Sequence, residues 1–544
     1  MEMRDRDIPV TRAWRGMLCA LLLVPCMVPR EALARQRHQN QALDHAFRSF
    51  WNASDPRDRQ GAVSGILLTG ADPDTIAARL REGRTYPSRV PKGRLLLTHQ
   101  TSDGFVHQYV LVVPASYDPG IPMPVRIYLH GGVNTEELDS GQHWDFDRFA
   151  PPDEISIFPS AWRGAMWWQA NQLENITGIL RTLRQTYNVD ENRIYAFGVS
   201  DGGTGAFFLA FKVPMLFAGV LPLLGHPGPL ANPALNADGP FYVVNLRNVP
   251  LFVVNGALDP LYPADEVAPY IALFRSAGVD VTFHPRPETG HDLRWWPAEE
   301  PAIDSFLAHH VRNPLPDRIS WEADRTDRDN RAFWLVIDEL GPSASDTILP
   351  TFDSIMPLPP APTLGVRTDP SSTRGVRLQV VELGSIAARS GLRAGDLILE
   401  ANGAPTPTVR SLVNATRGLD WGDSIDVLVE RQGQQGRTVI HLGPRPDPSR
   451  IRPVQAFPHP GPSGRVVLER HGNTVEVHSS YVRRFTLLLS PDLFDFSQPI
   501  RVITNGQVSW DGLVRRNPAV LLRWAAADMD RTMLFAAELP IQVP

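Results

Sequence analysis

The sequence predicts an α/β protein: a doubly wound parallel sheet, followed by a β-rich C-terminal domain with a separate module inserted into it. Three observations predict this. From residue 94 to about 310, short apolar runs alternate with longer helical stretches. Two proline-rich stretches, 357–362 and 444–462, bracket a Gly-punctuated block over 363–443. Strand-like runs with turn signals lie on both sides of that block.

The apolar runs fall at 94–99, 105–113, 125–130, 155–159, 193–198, 219–224, 251–255 and 279–284, with helix candidates at 171–187, 203–211 and 264–277. Strands alternating with helices of 10–15 residues read as βαβ units in a parallel sheet. Residues 94–314 are therefore expected to form one domain, and 35–93 a polar, helical N-terminal extension. Further strand-like runs occur at 333–338, 465–469, 474–478, 485–489 and 500–504. His471-Gly472-Asn473 and Asn505-Gly506 are turn signals between them, and 519–530 reads as a closing helix. Residues 315–356 and 450–544 are expected to make one discontinuous domain, interrupted by 363–443. Proline-rich segments favour extended, semi-rigid linkers.

Composition narrows the function classes. With 43% hydrophobic and 21% charged residues, the chain is neither disordered nor fibrous. The net charge is −6, and the basic residues, all arginine except Lys92 and Lys212, are scattered. No nucleic-acid partner is expected. The two cysteines, Cys19 and Cys26, precede everything else, so a disulfide framework, an iron–sulfur cluster and a thiolate zinc site are excluded from the rest. Residues 1–34 read as a secretory signal: Arg12 and Arg15, an apolar run from Met17 to Val28, then Ala32-Leu33-Ala34. The run is short of the ~20 residues that span a bilayer. The expectation is an exported protein, periplasmic or secreted, whose mature chain has no transmembrane anchor and no thiol.

Residues 198–202 read Gly-Val-Ser-Asp-Gly between a strand and a helix. A nucleophile at such a turn has a strained backbone, and glycines two before and two after it remove the clashes. Ser200 would stand above the carboxyl edge of the sheet. A serine hydroxyl needs a general base, and the base needs a carboxylate to orient it. Asp259, in Asn255-Gly256-Ala257-Leu258-Asp259-Pro260, and His291, in Thr289-Gly290-His291-Asp292, follow later strands in the expected order. Asp265 and His284 are their nearest rivals. For the oxyanion, His130-Gly131-Gly132-Val133 follows a strand, so the hole is assigned to Gly131, Gly132 or Val133, with the N–H of Asp201. His130 reads as holding this loop. Trp162, Trp167 and Trp168 read as pocket wall or as core. Neither a metal nor an organic cofactor is implied.

Over about 94–310 these residues resemble the α/β-hydrolase superfamily, on its esterase and polyhydroxyalkanoate-depolymerase-like side. The resemblance rests on His130-Gly131-Gly132, on residues 195–203 and on Gly256-Ala257-Leu258-Asp259-Pro260. It implies an acyl-enzyme serine hydrolase acting on a carboxylic ester. A peptidase of prolyl-oligopeptidase type would use the same triad, but no β-propeller precedes the domain. A third reading is an inactive hydrolase serving as a peptide-binding adaptor; the complete triad pattern argues against it.

Residues 364–443 resemble a bacterial-type PDZ domain. The Gly391-Leu392-Arg393-Ala394-Gly395-Asp396-Leu397-Ile398-Leu399 run carries most of the likeness, with Leu364-Gly365-Val366 and the strand-like 424–431. The prolines often found around a Gly-Ser-x-Ala turn are missing at Gly384-Ser385-Ile386-Ala387. The resemblance implies capture of a protein C-terminus, with Leu364-Gly365-Val366 as the carboxylate-binding loop.

Overall fold

The computed structural model describes residues 30–544 except 54–55, 137–143, 357–361, 370–371, 417, 446 and 448–451. Residues 1–29 of the expected leader, with both cysteines, lie outside the described residues, as do parts of both proline-rich stretches. The chain divides into two compact units at Ala71 and Asp72. In the first, α1 (Arg30–Asn52) and α2 (Pro56–Leu68) pack together. The second begins with α3 (Pro73–Glu82), capped by the Asp72 carboxylate. Arg81 of this helix pairs with Asp492 at 2.6 Å. The stretch expected as a single extension, 35–93, is thus divided between the two units.

The large sheet of the second unit has eight strands: β1 (Gly93–Gln100), β2 (Val106–Val113), β3 (Met123–Leu129), β4 (Ile155–Pro159), β5 (Val189–Val199), β6 (Gly219–Leu223), β7 (Leu251–Gly256) and β8 (Val281–Arg286). Their order is β1-β2-β4-β3-β5-β6-β7-β8. This is the α/β-hydrolase topology. From β4 through β8 neighbours run parallel, but β1 pairs antiparallel with β2, and β2 with β4. The parallel βαβ units read from the alternation run from β4 through β8, and an antiparallel pair of strands precedes them. Residues 101–105 close a tight turn, with the Thr101 N–H donating to the Phe105 carbonyl at 3.0 Å, too short a link for a crossover.

Helices cover both faces: α4 (Phe146–Phe149), α5 (Ala170–Thr186), α6 (Asp201–Lys212), α7 (Ala264–Ser276) and α8 (Trp296–His309). Every residue of β4, β6 and β7 is buried, which is why these strands read as unbroken apolar runs. Helix α8 is absent from the sequence reading because Pro297 and Pro301 break the helical pattern.

Beyond the sheet, Arg318–Ala323 pairs with Gly464–His471, and Leu335–Leu340 with Val482–Leu489. Strands from before and after the insert therefore share a five-stranded and a four-stranded sheet. Trp321 and Trp334 lie in the one core these sheets share. The insert has its own sheet and core, and it is rooted by Ser354–Ile355 pairing with Val454–Gln455. No helix of the described residues is long and apolar enough to cross a membrane.

Candidate active site

Ser200 stands between β5 and α6 with φ 59° and ψ −121°, a left-handed conformation unusual for a residue with a side chain. The close approach explains the flanking glycines. A Cβ on Gly198 would come within 1.8 Å of the Gly202 carbonyl oxygen, and one on Gly202 within 2.0 Å of that of Leu129. The Ser200 N–H donates to the Leu223 carbonyl at 2.9 Å, fixing the elbow to β6.

The carboxyl ends of β7 and β8 carry the other two residues to it. His291 Nε2 lies 2.8 Å from Ser200 Oγ, and His291 Nδ1 lies 2.7 Å from Asp259 Oδ2. The second oxygen of Asp259 accepts from the N–H groups of Leu261 and Tyr262 at 2.8 and 3.0 Å. Burial pushes the Asp259 carboxyl up, but the hydrogen bonds from His291, Tyr262 and Leu261 outweigh it and hold the group below its usual range. Asp259 therefore stays ionised and fixes Nδ1 of His291 as the protonated nitrogen, which leaves Nε2 free to accept from the serine. The rivals are placed elsewhere. Asp265 is exposed in the first turn of α7, and His284 Nδ1 is bound to Glu299 at 2.7 Å.

Gly131 packs directly on the serine: a Cβ there would meet Ser200 Cβ at 2.8 Å. The next residue but one corrects an expectation. The Val133 N–H donates to Asp201 Oδ2 at 3.0 Å, so that amide is already committed. The amides of Gly131, Gly132 and Asp201 are left as the candidates for an oxyanion. Asp201 opens α6, where the first N–H groups of a helix have no partner within it. His130 does hold the loop. The Ala161 N–H donates to its Nε2 at 3.0 Å, so Nδ1 carries the proton and donates to the Gly131 carbonyl at 2.8 Å.

A cleft of about 820 Å³ opens beside Val133 and Asp201. Its walls include Met166, Trp168, Leu235, Leu261, Tyr262 and Tyr270. Of the three tryptophans, Trp168 lines this cleft. Trp167 instead donates through Nε1 to the His130 carbonyl at 2.7 Å, and Trp162 packs against His107 with the rings tilted 53° to each other. Sequence reasoning missed Tyr262. The signal was its place three residues after Asp259, in reach of an Asx turn. Among the described residues, no group of three His, Cys, Asp or Glu could hold a metal.

In the insert, Gly365 has φ +68° and sits against Ser385. The carbonyls of Leu364 and Gly365 accept from the N–H groups of Ala387 and Glu382 at 3.0 and 2.9 Å. The following strand, Val366–Thr368, is at one edge of its sheet. Residues 362–442 match the family model of the PDZ domain. These residues form a PDZ domain. Its edge strand is placed as strand addition requires, and Val409 and Val413 are exposed one helical turn apart on Val409–Ala415.

Among solved structures, the chain resembles a thermostable esterase at 21% identity and TM-score 0.33, covering 40% of this chain and 63% of that one. It also resembles an acylaminoacyl peptidase of Pyrococcus horikoshii (14%, TM-score 0.34, 43% of each chain). An S-formylglutathione hydrolase of Staphylococcus aureus is similar at 19% and TM-score 0.32, over 40% of this chain and 99% of that one. No curated protein sequence matches the chain.

Proposed function

We propose that this protein is an exported serine hydrolase that cleaves a carboxylic ester through an acyl-enzyme, with a PDZ domain that binds a peptide C-terminus. The observation that carries the reading is the continuous chain Ser200 Oγ, His291 Nε2, His291 Nδ1, Asp259 Oδ2, with links of 2.8 and 2.7 Å. In this reading Ser200 attacks the ester carbonyl as His291 takes its proton. The oxyanion is held by the Asp201 amide and by that of Gly131 or Gly132. The imidazolium, steadied by Asp259, returns the proton to the leaving alkoxide. Water then enters, is deprotonated by His291, and releases the acid. The mainly apolar and aromatic cleft suits an apolar acyl or alcohol group. Export is supported by the residue pattern of 1–34.

A peptidase using the same residues is the second reading, favoured by the PDZ domain, which would deliver a polypeptide. Turnover of p-nitrophenyl acetate against peptide p-nitroanilides separates the two. Ester turnover is expected, and Ser200→Ala is expected to abolish it. Unchanged turnover in that variant would remove Ser200 from the reaction.

A further inference from the structure

Asp201 has a backbone amide beside the nucleophile and a carboxylate that the proposed mechanism does not use. That carboxylate accepts from the Val133 N–H at 3.0 Å. Nearby, the Tyr262 phenol is pushed up to about 12, first by burial and then by the charge of Asp201. Three loops meet on this group. Asp201 itself opens α6 behind Ser200, Val133 ends the Gly131-Gly132 turn after β3, and Tyr262 donates its N–H to Asp259.

We propose that the Asp201 side chain is a positioning residue for the oxyanion hole, acting through Val133. The inference rests on the serine hydrolase reading above. Gly131 and Gly132 have no side chains with which to anchor themselves, and Gly132 has φ +72°. Left alone, such a turn samples many orientations of its amides. The bond to Val133 pins the turn from its far side, and His130, bound to Ala161 and to the Gly131 carbonyl, pins it from the near side. The turn is thereby held at both ends across the two glycines. A carboxylate this close to a developing oxyanion would oppose it were its charge not offset. The Val133 N–H and the N-terminal end of α6 supply that offset.

The test compares Asp201→Ala with Asp201→Asn in the full chain, on p-nitrophenyl acetate. Both keep the backbone N–H of residue 201. Only Asn keeps an acceptor oxygen for Val133. Misplacing one oxyanion donor costs on the order of 100-fold in kcat. Asp201→Ala is expected to lose about that factor with KM changed less than about threefold, because the loss falls on the transition state. Asp201→Asn is expected to return to within about tenfold of the parent. A merely structural role would lower thermal stability in both variants without this split. If Asp201→Ala folds poorly, Asp201→Ser, too short to reach Val133, carries the same expectation. Parent-like kcat in Asp201→Ala, or Asp201→Asn no better than Ala, would overturn the proposal. If Ser200→Ala is inactive in the same assay, the hydrolase reading survives that failure; if it is active, that reading falls instead.

Discussion

The ring of Phe457 lies 5.9 Å from that of Tyr270, so the chain returning from the PDZ domain backs a wall of the cleft beside Val133 and Asp201. Phe457 is 1% exposed and also meets Phe211 and Phe241. From Tyr270 the ring contacts continue through His226 and Tyr262 to His291, with centroids 5.1, 5.8 and 6.1 Å apart. The insert is rooted in the core of the large sheet's domain, not hung from its surface.

Phe457→Ala is expected to cost about 3–5 kcal/mol, the transfer and cavity terms of a buried phenylalanine. Urea unfolding measures it. With less behind Tyr270, KM for a bulky ester is expected to rise while kcat holds. A kcat loss at constant KM would contradict the placement of Phe457 behind the wall alone.

Asp259→Asn keeps the shape of the triad but no longer enforces the Nδ1–H tautomer of His291. The expected loss in kcat is on the order of 10,000-fold. Asp265→Asn, at the rival carboxylate, is expected to leave ester turnover near the parent's. The reverse result would reassign the carboxylate.

His107 gives the protein an acid-sensitive element. Thr101 Oγ1 donates to Asp103 at 2.6 Å, so it accepts from His107 Nε2 at 3.2 Å. The ring is fully buried, and burial pushes its pKa down to about 4 against some raising by Asp103. The unfolded chain takes up this proton below about 6.5, and the fold resists until about 4. Stability is therefore full above pH 6.5 and falls as the pH drops toward 4, by at most about 3 kcal/mol from this group. His107→Gln keeps a donor for Thr101 without the titration. Its melting temperature is expected to fall less than the parent's between pH 7 and 4.5; parallel curves would remove His107 as the cause.

Arg312 and Asp530 form an ion pair at 2.7 Å, with side chains 2% and 1% exposed. Arg312 also donates to Asn192, Met215 and Thr532. Burial raises the Asp530 carboxyl, but the charges of Arg312 and Arg184 hold it far below its usual range. Removing one partner strands a buried charge. Arg312→Met is expected to destabilise by about 3–5 kcal/mol, and adding Asp530→Asn to recover part of it. Chemical denaturation of both variants checks this.

Limited proteolysis is expected to cut at 357–362 and at 444–453, and to spare the paired Val454–Gln455 and the buried Phe457. The flanking fragments should still co-elute, because Arg318–Ala323 is hydrogen-bonded to Gly464–His471 across the insert. Separate elution would count against a single discontinuous domain.

The sequence by itself determined the elements whose signal is local. Eight apolar runs marked the eight strands, and β4, β6 and β7 read as unbroken runs because both their faces are covered. The Gly-x-Ser-x-Gly turn marked Ser200 because only glycine tolerates the contacts that such an elbow makes. The order of loops after successive strands marked Asp259 and His291. Tertiary structure alone decided what depends on partners distant in the chain. It turned β1 and β2 antiparallel and formed α8 despite two prolines. It gave the Val133 amide to Asp201, and it put Phe457 behind Tyr270. A residue type and its neighbours in sequence state what a side chain can do. Which donor meets which acceptor is set by packing between segments tens to hundreds of residues apart, and that packing has no local signature.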